Sequence, residues 1–280
     1  MYYFLKLMHA FLRAKRLLFC LLFVIIAGIC IYGFFVEPNN IEINHLWVND
    51  GIFGDTLKGK TAMHISDLHM HEIGAREKEV LKVIDDVKPD FIFLTGDYVA
   101  WNGDYEPALD FLARLKARVG VWAVMGDYDY SNSRKSCLFC HKQGTGEATK
   151  KHSVRFLRNS SEIVSLADGY VHVYGIEHTD SEEDKKIAGK NPAIILSHSP
   201  MEFDMVDNES QMLMLAGDTH GGQVPLPDWL WRLIGYEKNA KYNQGFYKEG
   251  KKLMYVSRGI GTSHMPFRLF RRPEVVVIRF

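Results

Sequence analysis

A surplus of charge of either sign is missing from this sequence. Lys+Arg and Asp+Glu each total 34, so the formal net charge is zero. A general nucleic-acid binder carries a basic excess, so no nucleic-acid partner is expected. Internal repeats and low-complexity tracts are absent too, which leaves 280 residues for one good-sized domain plus an appendage. Cysteine is scarce, with four in all. Cys20 and Cys30 sit in an apolar N-terminal run, and Cys137 and Cys140 form a separate pair. What is present is an ordinary globular composition, 47% hydrophobic and 24% charged.

Charge is also missing locally. Residues 17–36, LLFCLLFVIIAGICIYGFFV, carry none. A run of about 20 apolar residues is what a helix needs to cross a bilayer. Lys6, Arg13, Lys15 and Arg16 precede it, and Glu37, Glu42 and Asp50 follow it. Basic flanks stay in the cytoplasm, so the C-terminal bulk is expected on the extracytoplasmic side of the cytoplasmic membrane. The run ends without a small-x-small cleavage site and is long for a signal-peptide core. An uncleaved single-span anchor is therefore expected, with a cleaved signal or a buried core helix as the alternatives.

Beyond the anchor, IEINHLWV alternates like a strand within a linker over residues 37–59. From residue 60 a pattern repeats: a short apolar run, a polar turn, then a helix-like stretch. TAMHIS, FIFLTGD and VGVWAVMGD read as strands. AREKEVLKVIDDV (75–87) and EPALDFLARLKA (106–117) read as helices. Later strands are VHVYGI, AIILSH, MLMLAGD, KLMYVS and EVVVIRF. Strand alternating with helix implies an α/β fold, and the late strands without long helices imply a second sheet packed on the first.

Aspartate or histidine closes strand after strand: Asp67 and His69 in SDLH, Asp97 in TGD, Asp127 in MGDYD, His198 in SHSP, Asp218 and His220 in GDTH. Singly, each is an ordinary turn residue. Together, at the carboxyl ends of strands, seven oxygen and nitrogen donors can hold two metal ions that share one carboxylate. The succession DxH, GD, GxxD, SHxP and GxTHGGQ resembles the calcineurin-like metallophosphoesterase superfamily. GGQVPLP and YVSRGIGTSHMPFRLFRRPEV resemble its bacterial membrane-anchored phosphodiesterase branch, related to UDP-2,3-diacylglucosamine pyrophosphatases. The resemblance covers residues 60–280 and implies two packed mixed β-sheets flanked by helices. It implies a first metal on Asp67, His69 and His220, a bridging Asp97, and a second metal on Asp127, His198 and Asp218. It also implies water activated between the two ions for in-line attack on a phosphomonoester or phosphodiester, lipid-linked in this branch. The donor set suits Mn, Fe or Zn.

The chain departs from the family pattern GNH[DE] and reads GDYD. Asp127 stands in place of asparagine and keeps a metal donor. Tyr128 stands in place of the histidine that would protonate the leaving group, and a free tyrosine titrates near about 10. Asp218 stands in place of a histidine ligand, which should favour harder ions such as Mn over Zn. Residues 131–153 form an insertion whose Cys137, Cys140 and His141 spell C-x-x-C-H, the pattern of c-type haem attachment. A short-loop disulfide, a zinc fragment or chance fits the same residues. The alternative reading of the chain is accordingly a non-hydrolytic or redox-sensing module with haem at this insertion. PDWLWRLIGY (227–236) suits either a membrane interface or a core. His71 and His264 lie near the motifs and either replace the missing acid or line the pocket.

Overall fold

The computed structural model describes residues 2–48, 53, 55–100, 104–130, 139, 152–176 and 193–280. Helix α1 (Tyr2–Ile31) continues through a single π-type turn over Tyr32–Val36 and a short turn at Glu37–Asn39. The stretch Phe11–Asn39 is long and apolar enough to cross a membrane, and almost none of it is covered by the rest of the chain. Its last turn is an exception. Gly33 is buried against the ring of Phe267, where any side chain on Gly33 would collide.

Two six-stranded sheets follow among the described residues. The first has the order β1 (Glu42–Trp47), β12 (Glu274–Arg279), β2 (Thr61–Ile65), β3 (Phe91–Thr95), β4 (Gly120–Val124), β5 (Arg155–Phe156). The second has the order β10 (Gly245–Glu249), β11 (Lys252–Val256), β9 (Met212–Ala216), β8 (Ala193–Ser197), β7 (Gly169–Ile176), β6 (Ser160–Leu166). The strand expected in the 37–59 linker is thus a sheet member, paired in parallel with β12 along its whole length.

Side chains alternate across a strand, and that alternation sorts the core into layers. From β3, Phe91 and Phe93 face the second sheet while Ile92 and Leu94 face the helices. From β9, Leu213 and Leu215 face the first sheet while Met212 and Met214 pack on the outer side. Trp122 of β4 fills the middle between the sheets and is fully buried. Truncating such a side chain to alanine costs about 3–5 kcal/mol. Both faces of the central strands are covered, so they read as continuous apolar runs.

Helix α2 (Ala75–Val87) covers the outer face of the first sheet with Val80, Val83 and Ile84, the i, i+3, i+4 stripe of an amphipathic helix. Glu77 accepts a hydrogen bond from the Gly74 N–H at 2.9 Å and so satisfies one donor at the helix start. The chain then leaves through Lys88 in a left-handed conformation. Helix α3 (Glu106–Leu112) is shorter than the expected 106–117. Its last turn tightens, with Arg114 and Leu115 N–H groups donating to Phe111 and Leu112. Arg118 then hydrogen-bonds the Pro89 carbonyl to enter β4. Strands β2, β3 and β4 run parallel, as do β8, β9 and β11. Several carboxyl-terminal loops of each sheet therefore gather at one end of the sandwich.

Candidate metal centre

Each predicted site residue lies in a loop just beyond a strand: Asp67 and His69 after β2, Asp97 after β3, Asp127 after β4, His198 after β8, Asp218 and His220 after β9. Backbone hydrogen bonds lace these loops together. Asp67 N–H donates to Gly96, His69 N–H to Asp97, and Gly217 N–H to His198, at 2.9–3.0 Å. Asp67, His69, Asp97, Asp218 and His220 all have positive φ, between 44° and 73°. Non-glycine residues held there cost of order 1–3 kcal/mol each, and such positions cluster at functional sites. Gly96 makes the approach possible. Its φ is +93°, and a side chain there would strike the Gly126 backbone and lie 2.8 Å from His198 Nδ1.

The side chains converge in two triads. Asp67, His69 and His220 are all buried, and their donor atoms lie within 4.8 Å of one another. Asp127, His198 and Asp218 form the second triad by the same measure, and Asp67, Asp97 and His198 overlap both. Asp97 stands between them. Its Oδ2 is 3.4 Å from His69 Nε2 and 3.5 Å from His198 Nε2. Its Oδ1 accepts the Tyr128 N–H at 3.0 Å. His220 Nε2 lies 3.1 Å from His69 Nε2 and 3.6 Å from Asp67 Oδ1. His198 donates Nδ1–H to the Thr95 carbonyl at 2.8 Å, which leaves its Nε2 aimed at Asp97, buried and without a hydrogen-bond partner.

Electrostatics separate the members. Burial holds His69 down at about 4 against the pull of the Asp97 charge, helped by the positive charges of His198 and Arg268. Burial and the His69 and Arg268 charges hold His220 well below its ordinary range. Both imidazoles are thus neutral, the form a metal requires. Burial pushes the Asp67 carboxyl up to about 7, against the charge of His198. Burial pushes Asp97 the same way, but His198 and His69 outweigh it and hold this carboxyl below the usual range. Burial would neutralise His198, yet the charge of Asp97, with those of Asp218 and Asp67, raises it instead. A bare cluster of four carboxylates and three imidazoles is costly to bury. The residues present fit divalent cations on three observations: an unpartnered His198 Nε2, two neutral imidazoles facing each other, and carboxylates on every side.

Four further residues organise the site and carry no recognisable signal in sequence. Asp129 is fully buried, and its carboxylate accepts N–H groups of Asp97 (2.6 Å), Tyr98 (2.8 Å), Val99 (3.3 Å) and Gly126 (2.8 Å). It ties the β3 turn to the β4 turn. Burial, then Asp97's charge, pushes it up to about 8, while those N–H donors hold the ionised form. Lys238, on helix α5 (Glu237–Lys241), donates to Asp218 Oδ2 at 2.5 Å. Asn239 from the same helix donates to the Thr219 carbonyl at 2.8 Å and so holds α5 beside the GDTH turn. Arg268 is wholly buried and donates to the carbonyls of Gly261, Arg258 and Arg271 behind His220.

A cavity of about 530 Å³ opens onto Asp97, Asp127, Tyr128, Asp218 and His220. Tyr128 sits edge-on to the His69 ring, with centroids 4.9 Å apart. His264 lines the cavity, whereas His71 is exposed and does not. Cys137, Cys140 and His141, the candidate haem motif, lie outside the described residues.

Residues 60–230 match the family model of calcineurin-like phosphoesterases, well over half of the chain. The chain belongs to this family. It is a hydrolase of phosphate esters, as the names of its relatives also indicate. It is 26% identical to the uncharacterized metallophosphoesterase YkuE of Bacillus subtilis, over 88% of this chain and 87% of that one. It is 26% identical to the UDP-2,3-diacylglucosamine pyrophosphatase LpxG of Chlamydia muridarum, over 87% and 90%. It is 27% identical to the phosphodiesterase YaeI of Escherichia coli, over 68% and 70%.

Proposed function

We propose that this phosphoesterase hydrolyses a phosphomonoester or phosphodiester of a membrane lipid, from the extracytoplasmic side of the cytoplasmic membrane. Asp67, His69 and His220 would hold one divalent cation and Asp127, His198 and Asp218 a second, with Asp97 serving both. The observation that carries this reading is the position of Asp97 Oδ2, about equally far from an imidazole of each triad. Bound there, divalent cations acidify water and neutralise charge on phosphoryl oxygens.

The protein's own groups do the rest. The Thr95 carbonyl fixes the ring of His198, and Asp129 fixes the backbone on which Asp97 and Asp127 stand. Tyr128 lies where a leaving group would depart into the cavity, and its hydroxyl serves as a hydrogen-bond donor rather than a proton shuttle. Lys238 places an ammonium beside Asp218 at the cavity wall, where it would add positive charge toward a bound phosphate ester. Support for a lipid substrate comes from the spanning helix and from the relative named for UDP-2,3-diacylglucosamine. An outward-facing domain would not meet a cytoplasmic nucleotide-linked lipid, so the substrate is expected to be a different phosphorylated lipid.

Release of p-nitrophenol from bis-p-nitrophenyl phosphate with Mn, compared with Asp97→Ala, tests the centre. Equal rates in the two proteins would refute it, and metal content measured on the same samples should fall in the variant.

A further inference from the structure

The aromatic stretch over 227–236 and the segment 263–270 are not needed for the chemistry proposed above, yet both flank the cavity. Many of their apolar side chains point to solvent. Beyond residue 36, six of the twelve large apolar or aromatic side chains exposed among the described residues belong to them: Trp229, Leu233, Ile234, Tyr236, Met265 and Phe270. Trp229, Leu233 and Phe270 are 64%, 73% and 71% exposed. Solvation of so much apolar surface beside one pocket is costly unless something covers it.

The same region is where the spanning helix joins the domain. Arg268 N–H donates to the Gly33 carbonyl at 2.9 Å, and the Phe34 and Phe267 rings meet edge to face at 4.9 Å. The Glu37 carboxylate accepts the Arg271 N–H. Gln223 then links this segment to the pocket floor, donating to the Met265 and Phe267 carbonyls and accepting from Leu269 N–H. Next to it, Gly222 is packed under the Trp231 indole of helix α4 (Asp228–Leu233). An unbroken path of contacts thus runs from the end of the anchor to α4. A loop fastened to the last turn of a spanning helix lies at the level of the headgroups, where tryptophan and other amphipathic rings partition.

We propose that the rim formed by Trp229, Leu233, Ile234, Met265 and Phe270 rests in the membrane surface from which the anchor emerges, so that the cavity takes phosphate esters from lipids of that leaflet without their leaving it. The occupant of the apolar face is the bilayer itself. Continuity with the anchor singles it out over a second copy of the chain or a protein partner. The lipid half of this inference rests on the reading of the cavity as a phosphoesterase site; the docking half does not.

The test uses the full chain reconstituted in phosphatidylcholine vesicles brominated along the acyl chains. Trp229→Phe isolates one indole among five. The fluorescence lost in that variant should be a component that brominated lipid quenches. A Trp229 component untouched by brominated lipid overturns the docking. For lipid access, vesicle-borne phosphatidic acid should compete with bis-p-nitrophenyl phosphate hydrolysis. The pair Leu233→Asp with Phe270→Asp should weaken that competition about 10-fold, since losing burial of one such side chain exceeds the roughly 1.4 kcal/mol that a factor of ten represents. Hydrolysis of the soluble ester should stay within about twofold, as neither residue lines the cavity. Competition by soluble glycerol phosphate but not by vesicle-borne phosphatidic acid overturns lipid access. Quenching of Trp229 in a chain that hydrolyses nothing would retain the docking and sink the phosphoesterase reading instead.

Discussion

The two triads differ in burial and in company. Asp67, His69 and His220 are wholly inside, two of the three are imidazoles, and a buried arginine stands behind them. Asp127 and Asp218 are half-buried, line the cavity with the carboxylates of the second triad, and share their space with Lys238. On the proposed reading, the inner triad would hold its ion more tightly. The outer one would exchange its ion more readily, because Lys238 competes for Asp218 and two of its three donors are half-buried.

Substitutions on either side should break this comparison in order of size. His220→Ala should lower kcat/KM for bis-p-nitrophenyl phosphate by about 1,000-fold and strip the tightly held ion, since the loss removes charge stabilisation at the reacting group. Equal retention of metal in His220→Ala and Asp218→Ala would erase the distinction. Tyr128→His should act in the opposite direction, raising kcat at neutral pH by at least about 10-fold through a restored general acid. Its pH–rate profile should gain a descending limb that the parent lacks. Lys238→Met should tighten the outer ion by about 10-fold in a calorimetric titration, because it removes a positive charge that competes for Asp218, and leave the inner ion's affinity unchanged. It should also raise KM for the ester.

A separate effect, on stability rather than turnover, concerns the ground on which both triads stand. His64 lies between the sheets, fully buried, and burial holds it down at about 3. Thr95 spends its one hydroxyl proton on Ser66 at 2.6 Å, so toward His64 Nε2, 2.8 Å away, it accepts, and the ring is neutral with its proton on Nε2. The unfolded chain protonates this histidine near 6.5, while the folded one does not. Stability should therefore fall as the pH drops below about 6.5 and keep falling toward about 3. Between pH 7 and 4.5, urea unfolding of the detergent-solubilised chain should lose about 2 kcal/mol more than His64→Gln does. Equal losses would mean that the ring takes up its proton inside the fold.

Much of this was legible because it is local. Helix α2 occupies the residues its apolar spacing and its following Pro89 define, and the strand runs ending in Asp or His end where the turns begin. The seven donors could be collected because parallel strands deliver their carboxyl ends to one place. What stayed hidden depends on approach between distant segments. Asp129 reads as one more turn aspartate until four N–H groups from two loops are seen to meet on it. Lys238 is 20 residues from Asp218, on a five-residue helix that periodicity does not reveal. The left-handed backbone at Asp67, His69, Asp97, Asp218 and His220 has no signature in residue type. The path from α3 into β4 includes a bond from Arg118 N–H to the Pro89 carbonyl, which is far away in sequence. EVVVIRF reads as a strand, but nothing in seven mostly apolar residues says which neighbours it has.

Those neighbours matter for how the molecule is made. β12 slots between β1 and β2, parallel to one and antiparallel to the other, so residues 274–279 complete a sheet whose remaining members precede them by 100 residues or more. Until that segment arrives, β2 is a bare edge and β1 has no ladder at all. A ribosome-bound chain would thus expose an unpaired template for strand addition after its long apolar N-terminal helix has emerged. Closure of the first sheet waits on β12, and a truncation that removes residues 274–280 should leave an aggregating stump rather than a slightly weakened enzyme.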